Sequence, residues 1–222
     1  MPVTATGYTA SPTIELTWAL ILACSRGIVQ DSSSLRNGGW QKSVGQDLSG
    51  KILGVVGLGN IGAQVARIGF AFGMRIIAWS ENLTPEIAEA AGAKAVSKRE
   101  LFSQADIVTI HLVLSARSKG LVGAAELGLM KPTARLINTS RGPIVDEPSL
   151  IKALRSRTIA GAAIDVFEEE PLPPDHPFRS MHNVLATPHI GYVSEGLYRT
   201  FYGDCLANIT AWLDRQDNDK TE

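Results

Sequence analysis

The pattern of apolar and polar positions changes near residue 50, and the two parts of the chain predict different structures. Before this point, an apolar run preceded by Pro12 predicts one buried helix over about 13–27, and a polar, glycine-rich connector follows over 31–50. After it, short β-branched apolar runs alternate with amphipathic segments. That alternation is typical of repeated βαβ units around a parallel sheet.

The alternation also predicts where the elements lie. Strands are predicted at 51–57, 74–79, 93–96, 105–111, 134–139, 159–164 and 183–186. Helices are predicted at 60–73, 84–92, 98–104, 122–130 and 147–156, with a long C-terminal helix from about 193 to 215 and a charged tail that frays. Because crossovers between parallel strands are right-handed, the first six strands are expected in the order 3-2-1-4-5-6. The predicted fold class is α/β, a doubly wound parallel sheet with flanking helices.

The turn after the first predicted strand carries a GxGxxG motif at 57–62, and an amphipathic helix begins there. Gly57 permits the tight turn, Gly59 has no Cβ to block a pyrophosphate, and Gly62 lets the helix pack close to the strand. The unpaired N–H groups of the helix N-terminus attract an anion. A purely structural glycine turn is the alternative, and the strand–turn–helix context disfavours it. The motif therefore predicts a Rossmann-type dinucleotide site.

The residues that end the second strand bear on the choice between NAD and NADP. An acidic residue at this point is typical of NAD binding, since it holds the ribose hydroxyls. Here Ser80 has that position, and Glu81 follows it. No Arg beside Ser80 could pair with a 2′-phosphate, because Arg75 lies at the start of the strand. NAD is favoured, and NADP stays open.

Composition excludes several classes of partner. Lys and Arg number 21 against 22 Asp and Glu, so no basic surplus exists to bind nucleic acid. Cys24 and Cys205 have no second Cys or His at ligand spacing, so no metal site is expected. Both are instead expected to be buried thiols in a reducing cytoplasm. The apolar run 16–24 is too short to span a bilayer, and the N-terminus lacks the cationic start of a signal peptide. We therefore expect a cytoplasmic protein without a membrane partner.

Three later segments place polar side chains directly after predicted strands: 138–142 (Asn-Thr-Ser-Arg-Gly), 165–171 (Asp-Val-Phe-Glu-Glu-Glu-Pro) and 187–191 (Thr-Pro-His-Ile-Gly). In a parallel sheet the carboxyl ends of the strands line one crevice, so these side chains are expected to converge on the dinucleotide. Taken singly, the Arg and the glutamates could be solvated charges and the His a structural residue.

In these segments the chain resembles the D-isomer-specific 2-hydroxyacid dehydrogenases, which include phosphoglycerate, glycerate and hydroxypyruvate enzymes. GLGNIG, NTSRGPIVDEPSL, IDVFEEEPLP and TPHIG occur in the family's order and cover most of the chain. The resemblance implies that Arg141, Glu170 and His189 are catalytic. Of the three consecutive glutamates, spacing alone selects none, and the family pattern points to the one before the proline.

The chemistry of a 2-keto acid fits those three side chains. Arg141 offers a fixed fork of donors to a carboxylate or carbonyl oxygen. His189 can donate a proton in reduction and accept one in oxidation. Glu170, if it contacts the imidazole, would orient it and favour its protonated form. Hydride transfer itself belongs to the cofactor.

The resemblance also implies which residues touch the cofactor. Asp165 is expected near the nicotinamide ring, and Leu114 is expected to touch the cofactor together with Leu112 and Val113 after the fourth strand. Together with the glycine turn, the candidate cofactor-binding residues are Gly57, Gly59, Asn60, Ile61, Gly62, Ser80, Leu112, Val113, Thr139, Asp165 and Gly191. His111, His176 and His182 match no catalytic position of the family and are interpreted as structural.

A single dinucleotide-binding domain is predicted over 1–222: a helix and dimerisation arm (1–49), the Rossmann core (50–192) and the C-terminal helix (193–222). Trp40 matches the arm by which the family's cofactor domains pair, so a homodimer is expected. Family members carry a flavodoxin-like substrate domain ahead of this region, and the chain is expected to lack most of it. Apolar residues of the C-terminal helix are then expected to be exposed or repacked, namely Leu197, Phe201, Leu206 and Trp212.

The leading hypothesis is an oxidoreductase that transfers a hydride between a nicotinamide cofactor and a D-2-hydroxy or 2-keto acid. The alternatives are a redox-sensing or scaffold module that binds the dinucleotide without chemistry, and an inactive fragment. The intact trio at 141, 170 and 189 argues against a sensor, which need not keep it. A different Rossmann enzyme, such as an amino-acid dehydrogenase or a hydrolase with bound NAD, would need a catalytic Lys or Cys near the strand ends. Lys131 and Lys152 fall instead on helices or at the start of a strand. The substrate itself is not specified by these residues.

Overall fold

A parallel β-sheet forms the centre of the molecule, for which a computed structural model describes residues 5–218. Its strands are β1 (Ile52–Val56), β2 (Arg75–Trp79), β3 (Lys94–Ala95), β4 (Ile107–Ile110), β5 (Arg135–Asn138), β6 (Gly161–Ile164) and β7 (Val184–Ala186). Every neighbouring pair is parallel, and the order is β3-β2-β1-β4-β5-β6-β7. The predicted α/β class and the predicted order of the first six strands are confirmed, with β7 added beside β6.

The helices flank this sheet. They are α1 (Ser11–Arg26), α2 (Ile28–Arg36), α3 (Asn60–Ala71), α4 (Pro85–Ala90), α5 (Lys98–Gln104), α6 (Ala124–Leu129), α7 (Glu147–Arg155) and α8 (Glu195–Asn218). Two single turns of 3₁₀ helix, Gly142–Ile144 and Pro177–Arg179, lie in the loops after β5 and β6. The charged tail was predicted to fray from residue 215, and this is wrong for 215–218, which α8 includes; the rest of the tail lies outside the described residues.

The strands are continuous apolar runs because helices cover both faces of the sheet. Successive side chains of a strand point to opposite faces. In β5, Leu136 belongs to the apolar cluster on one face and Ile137 to the cluster on the other, and both are fully buried. Two cores therefore hold the sheet from its two sides.

The predicted connector over 31–50 is wrong in its first part, because α2 continues to Arg36. α1 ends as predicted, with Gly27 in the left-handed conformation (φ 62°), and α2 begins at the next residue. Of the α2 residues only Ser34 is buried. A helix that buries so little shows no apolar periodicity, so the sequence pattern did not indicate it.

α1 is the helix that joins the N-terminal segment to the sheet. Ile14, Trp18 and Ile21 are buried in one of the two cores, and the Trp18 ring stacks on Phe72 at a centroid distance of 4.9 Å. Within the described residues, no single helix is both long and apolar enough to cross a membrane. α1 and α2 pass that test only as a pair, bent by 65° at Gly27.

The residues of α8 expected to be exposed or repacked divide between these two outcomes. Leu197 is 1% exposed, so it is packed in the interior, whereas Leu206 is 68% exposed. Phe201 and Trp212 are half-buried. The prediction of two buried thiols is wrong, because Cys205 is exposed on α8 and Cys24 is only half-buried on α1.

The two-sided core yields a stability prediction. Ile137→Ala is expected to lower the free energy of unfolding by about 2–5 kcal/mol, because it leaves a cavity among fully buried side chains. Ile209→Ala is the matched control, since the Ile209 side chain is 57% exposed and its truncation removes little buried contact. Urea denaturation of both variants measures the difference, and equal midpoints would contradict the packing described.

Candidate functional site

A cleft of about 650 Å³ opens at the carboxyl edge of the sheet, where loops follow β4, β5, β6 and β7. It brings together candidate residues that are far apart in sequence. Those that line it are Ile61, Leu112, Val113, Leu114, Thr139, Arg141, Asp165, His189 and Gly191. The guanidinium and the imidazole thus lie in one cleft, on the same side of the sheet.

The glycine turn between β1 and α3 has the geometry that a diphosphate requires. Gly57 has a φ of +98°, and a Cβ there would lie 2.7 Å from the carbonyl oxygen of His111. A Cβ on Gly62 would lie 2.0 Å from the carbonyl oxygen of Gly57, so only glycine lets α3 approach. Gly59 faces open space, and no side chain caps the first N–H groups of α3. These groups are therefore free to bind an anion.

His189 and Glu170 form a hydrogen-bonded pair at the edge of the cleft. The Nδ1 atom of His189 lies 2.6 Å from Oε2 of Glu170, and Oε1 of Glu170 accepts the backbone N–H of Phe167 at 2.9 Å. A carboxylate accepts hydrogen bonds, so Nδ1 carries the proton and Nε2 is left for the cleft. The pair can therefore hold one proton at Nδ1 and exchange another at Nε2.

The backbone of His189 is in the left-handed region, with a φ of 53°, and Asp165 holds it there. Oδ1 of Asp165 accepts the Thr187 hydroxyl at 2.6 Å and the N–H of Ile190 at 2.9 Å, and Oδ2 accepts the N–H of Gly191 at 2.8 Å. Asp165 is 1% exposed. The residues on either side of His189 are thus tied to the end of β6, and the strained conformation persists because the surrounding bonds impose it.

Arg141 extends from the loop after β5. Asn138 shapes this loop, since its Oδ1 accepts the N–H of Ser140 at 3.0 Å and its amide nitrogen donates to the carbonyl of Arg141 at 3.0 Å. One guanidinium nitrogen donates to the carbonyl of Ser140 at 2.7 Å. Within residues 5–218, Arg141 makes no ion pair with a carboxylate. Its charge is available to an anion in the cleft.

Comparison with known proteins assigns this architecture to a family. Residues 18–191 match the model of the D-isomer specific 2-hydroxyacid dehydrogenase, NAD binding domain. The chain belongs to this family. The match confirms both the resemblance and NAD as the cofactor of the domain.

The relatives of this NAD-binding domain are named reductases and dehydrogenases. A glyoxylate reductase of Aeropyrum pernix is 47% identical over 82% of the chain and 57% of its own length. A D-3-phosphoglycerate dehydrogenase of Methanocaldococcus jannaschii is 42% identical over 82% of the chain and 35% of its own length. The chain thus spans between about a third and somewhat more than half of the length of these curated relatives.

Solved structures show the same fold. The crystal structure of a putative D-3-phosphoglycerate dehydrogenase from Ralstonia solanacearum superposes with a TM-score of 0.90 at 38% identity, over 94% of this chain and 65% of that one. A D-isomer specific 2-hydroxyacid dehydrogenase from Lactobacillus delbrueckii ssp. bulgaricus, solved as an NAD complex, superposes with a TM-score of 0.78 at 26% identity, over 94% and 68%. The sheet and its flanking helices are therefore those of the family.

Some candidate residues of the NAD-binding domain lie outside the cleft. Gly59 and Asn60 border a separate depression between α3 and α4. Ser80, half-buried after β2, is not among the residues that line the cleft, and its carbonyl accepts the N–H of Leu83 at 3.1 Å. Glu170 lies behind His189 and lines a second cavity instead.

Sequence reasoning missed other residues that line the cleft. They are Tyr8, Thr13, His111, Ser140, Tyr192 and Phe201. Tyr192 packs edge-on against the ring of His189, at a centroid distance of 5.6 Å and an interplanar angle of 78°. The sequence did contain a signal for Tyr192 and Ser140, because each directly follows a candidate residue. No sequence signal existed for Tyr8, Thr13 and Phe201, because only the packing of α1, of the segment before it and of α8 brings them to the sheet edge.

His111 yields a prediction about acid stability. Burial lowers the pKa of its ring from the usual 6.5 to about 4, so the ring is neutral in the folded chain, and Nε2 contacts the Thr109 hydroxyl at 2.8 Å. Between these pH values the unfolded chain binds a proton that the folded chain does not. Stability is therefore lost as the pH falls from 6.5 towards 4.

The measurement compares the wild type with His111→Gln, whose amide does not titrate. The free energy of unfolding, from urea melts at pH 7.5 and pH 4.5, is expected to fall more steeply in the wild type. Carboxylates that titrate in the same range affect both proteins equally. Identical pH slopes would contradict a ring that is neutral in the folded chain.

Proposed function

We propose that the protein that carries this chain transfers a hydride between NAD and a D-2-hydroxy acid or its 2-keto acid. The observation that carries the proposal is the shared cleft: Arg141 and His189 line the same cavity as Ile61 of the glycine turn, and Glu170 holds the far side of the imidazole. The names of the relatives support the same class of reaction. The assignment of catalytic and cofactor-binding roles to individual residues is part of this proposal.

The chain's own side chains have two tasks in this reaction. Arg141 binds the carboxylate of the substrate and orients the adjacent carbonyl group, since its forked donors match two oxygens. His189 donates a proton from Nε2 to the carbonyl oxygen during reduction and accepts it back during oxidation. When bound, NAD supplies or accepts the hydride.

Glu170 acts through His189. Its hydrogen bond fixes the proton on Nδ1, so Nε2 is the atom that faces the substrate, and its negative charge stabilises the imidazolium that precedes proton donation. Of the three consecutive glutamates, Glu170 alone contacts the imidazole, whereas the side chain of Glu169 is exposed. Glu168 makes a different contact, from its backbone N–H to Glu147.

Glyoxylate and 3-phosphohydroxypyruvate are the first substrates to test, because the relatives described above are a glyoxylate reductase and a phosphoglycerate dehydrogenase. The remaining length of those relatives is expected to complete the substrate site and to exclude water when it closes. The thiols of Cys24 and Cys205 are both free, which fits the reducing cytoplasm as the proposed location.

The catalytic roles predict the effect of three substitutions. His189→Ala is expected to lower kcat by about 10²–10⁴-fold with the Kd for NADH unchanged, because only proton transfer is removed. Glu170→Gln keeps the shape but loses the charge, and is expected to lower kcat by at least about tenfold. Glu169→Gln is the matched control and is expected to keep full activity, since its side chain touches no part of the site.

The assay follows NADH absorbance with both keto acids, using the full product of the reading frame that contains the chain. Wild-type turnover in His189→Ala would end the catalytic assignment. Tight NADH binding without turnover in the wild type, for a panel of 2-keto acids, would instead favour the dinucleotide-binding sensor or scaffold.

We also propose that the chain forms a homodimer through α1, α2 and the arm that follows. Apolar side chains are exposed along this surface: Ile28, Val29, Leu35, Trp40 and Val44. Trp40 is 77% exposed, and a solvated patch of this kind is typical of a protein interface.

The dimer is tested with Trp40→Asp, which places a charge where an interface would bury an aromatic ring. Light scattering at micromolar concentration is expected to show a dimer for the wild type and a monomer for the variant. Ile209→Asp on α8 is the control, since its side chain is 57% exposed on a different surface. A monomeric wild type would refute the proposal.

A further inference from the structure

The loop that carries Arg141 and the segment that carries Glu170 touch through their backbones. A Cβ on Gly142 would lie 2.0 Å from both the carbonyl carbon and the carbonyl oxygen of Phe167, and 2.6 Å from the backbone nitrogen of Glu168. Non-bonded heavy atoms do not come this close, so only glycine permits the contact. Gly142 directly follows Arg141, and no role above uses it.

The loop after β5 is the rigid side of this contact. The carbonyl of Pro143 accepts the N–H of Gly120 at 2.8 Å. The carbonyl of Ile144 accepts the N–H of Val122 at 3.1 Å, and the side chain of Ile144 is fully buried. Together with the two hydrogen bonds of the Asn138 side chain described above, these contacts hold the loop on both sides of position 142.

The segment after β6 is the side of the contact that can yield. Among the described residues, no backbone–backbone hydrogen bond involves 166–172. The chain is buried as far as Phe167, which is 6% exposed, and is exposed from Glu168 to Glu170. A side chain at position 142 would therefore displace the peptide between 167 and 168, and the exposed residues with it, rather than the loop of Arg141.

The displaced peptide belongs to the residue that orients Glu170. The N–H of Phe167 donates to Oε1 of Glu170, and Oε2 of the same carboxylate lies 2.6 Å from Nδ1 of His189. The side chains of His189 and Glu170 are 33% and 34% exposed, so burial does not hold the pair together. A glutamate released from its backbone partner gains rotamer freedom in water. The position of this peptide therefore decides whether the carboxylate reaches the imidazole.

We propose that Gly142 is a positioning residue, which admits the Phe167 backbone against the Arg141 loop and thereby holds Glu170 within reach of His189. The inference deepens the proposed function and rests on it, because the pair at 170 and 189 serves the reaction only if His189 transfers the proton. One backbone contact then fixes the loop of the substrate-binding cation relative to the carboxylate that orients the acid.

Nitrogen-15 NMR of the histidine rings tests the contact directly, because the spectrum shows which ring nitrogen carries the proton. The full product of the reading frame is used, and the signals of His189 are assigned by their absence in His189→Ala. In alkaline buffer, where an imidazole is neutral, the wild type is expected to carry the proton on Nδ1. Gly142→Ala is expected to lose this tautomer to the same extent as Glu170→Ala, which lacks the acceptor.

Steady-state kinetics with glyoxylate gives a second measurement. The kcat of Gly142→Ala is expected to fall at least about tenfold. The KM for the keto acid and the Kd for NADH are expected to stay unchanged, since the Arg141 loop and the glycine turn at 57–62 keep their places. Because Gly142 acts through the carboxylate, Gly142→Ala combined with Glu170→Ala is expected to be no slower than Glu170→Ala alone.

Gly128→Ala is the matched control, because a Cβ at this position of α6 would meet no heavy atom within 4 Å. It is expected to keep the wild-type tautomer and the wild-type kcat. Asn138→Ala is the second variant, in case Gly142→Ala does not fold. It removes the two side-chain hydrogen bonds that fix the loop before position 142, and it is expected to lower the Nδ1–H fraction of His189 in the same direction.

The outcomes separate this inference from the proposed function. The inference is overturned if the wild type carries the proton on Nε2, if Gly142→Ala keeps the wild-type tautomer, or if the double variant is slower than Glu170→Ala. A raised KM with the tautomer kept would mean that the Arg141 loop yields, which also overturns it. If Gly142→Ala does not fold, a wild-type tautomer in Asn138→Ala decides against it. A wild type that reduces no 2-keto acid, with the tautomers as expected, counts against the proposed function alone.

Discussion

The arrangement of the site depends on the hydrogen bonds of one buried carboxylate, that of Asp165. It lies at the end of β6 and accepts hydrogen bonds from Thr187, Ile190 and Gly191. A carboxylate this far from water is costly unless its oxygens are paired. The loop after β7 supplies those partners, and it can do so only by folding back over β6. His189 lies in the middle of that loop, so its left-handed backbone follows from the bonds of its neighbours.

The parallel sheet provides the frame within which this contact acts. Since all seven strands run in one direction, the loops that carry His111, Arg141, Asp165 and His189 emerge at one edge. Short polar contacts then stiffen each loop, as Asn138 does for Arg141. The loop that carries Glu170 has a comparable support, since Glu147 at the start of α7 pairs with His176 at 2.9 Å. Side chains around the cleft are thus held by contacts outside it.

The N-terminal helix contributes more than its burial in the core. Through Thr13 it is bonded to the loop of His189, and through Thr17 it meets Thr139 beside Arg141. The two loops that would act on a substrate are therefore braced by one rigid element. α2, which leaves α1 at Gly27, and the exposed apolar residues around Trp40 extend from that same element. This continuity links the surface proposed for dimerisation to the geometry of the cleft.

The sequence by itself determined the elements whose local signals agree: the alternating apolar runs, the glycine turn at 57–62 and the order of the strands. It also marked Arg141 and His189 as residues that follow strands, and the family pattern singled out Glu170. The tertiary structure decided which contacts those residues make, that Ser80 lies off the cleft, that α2 is a helix, and that Leu197 is buried. It alone brought Tyr8, Thr13 and Thr17 to a site more than a hundred residues away in the chain, as the contacts of Thr13 with Gly191 and of Thr17 with Thr139 show. The physical reason is that periodicity records the environment of one segment, whereas the partners of a buried polar group come from segments that only packing brings together.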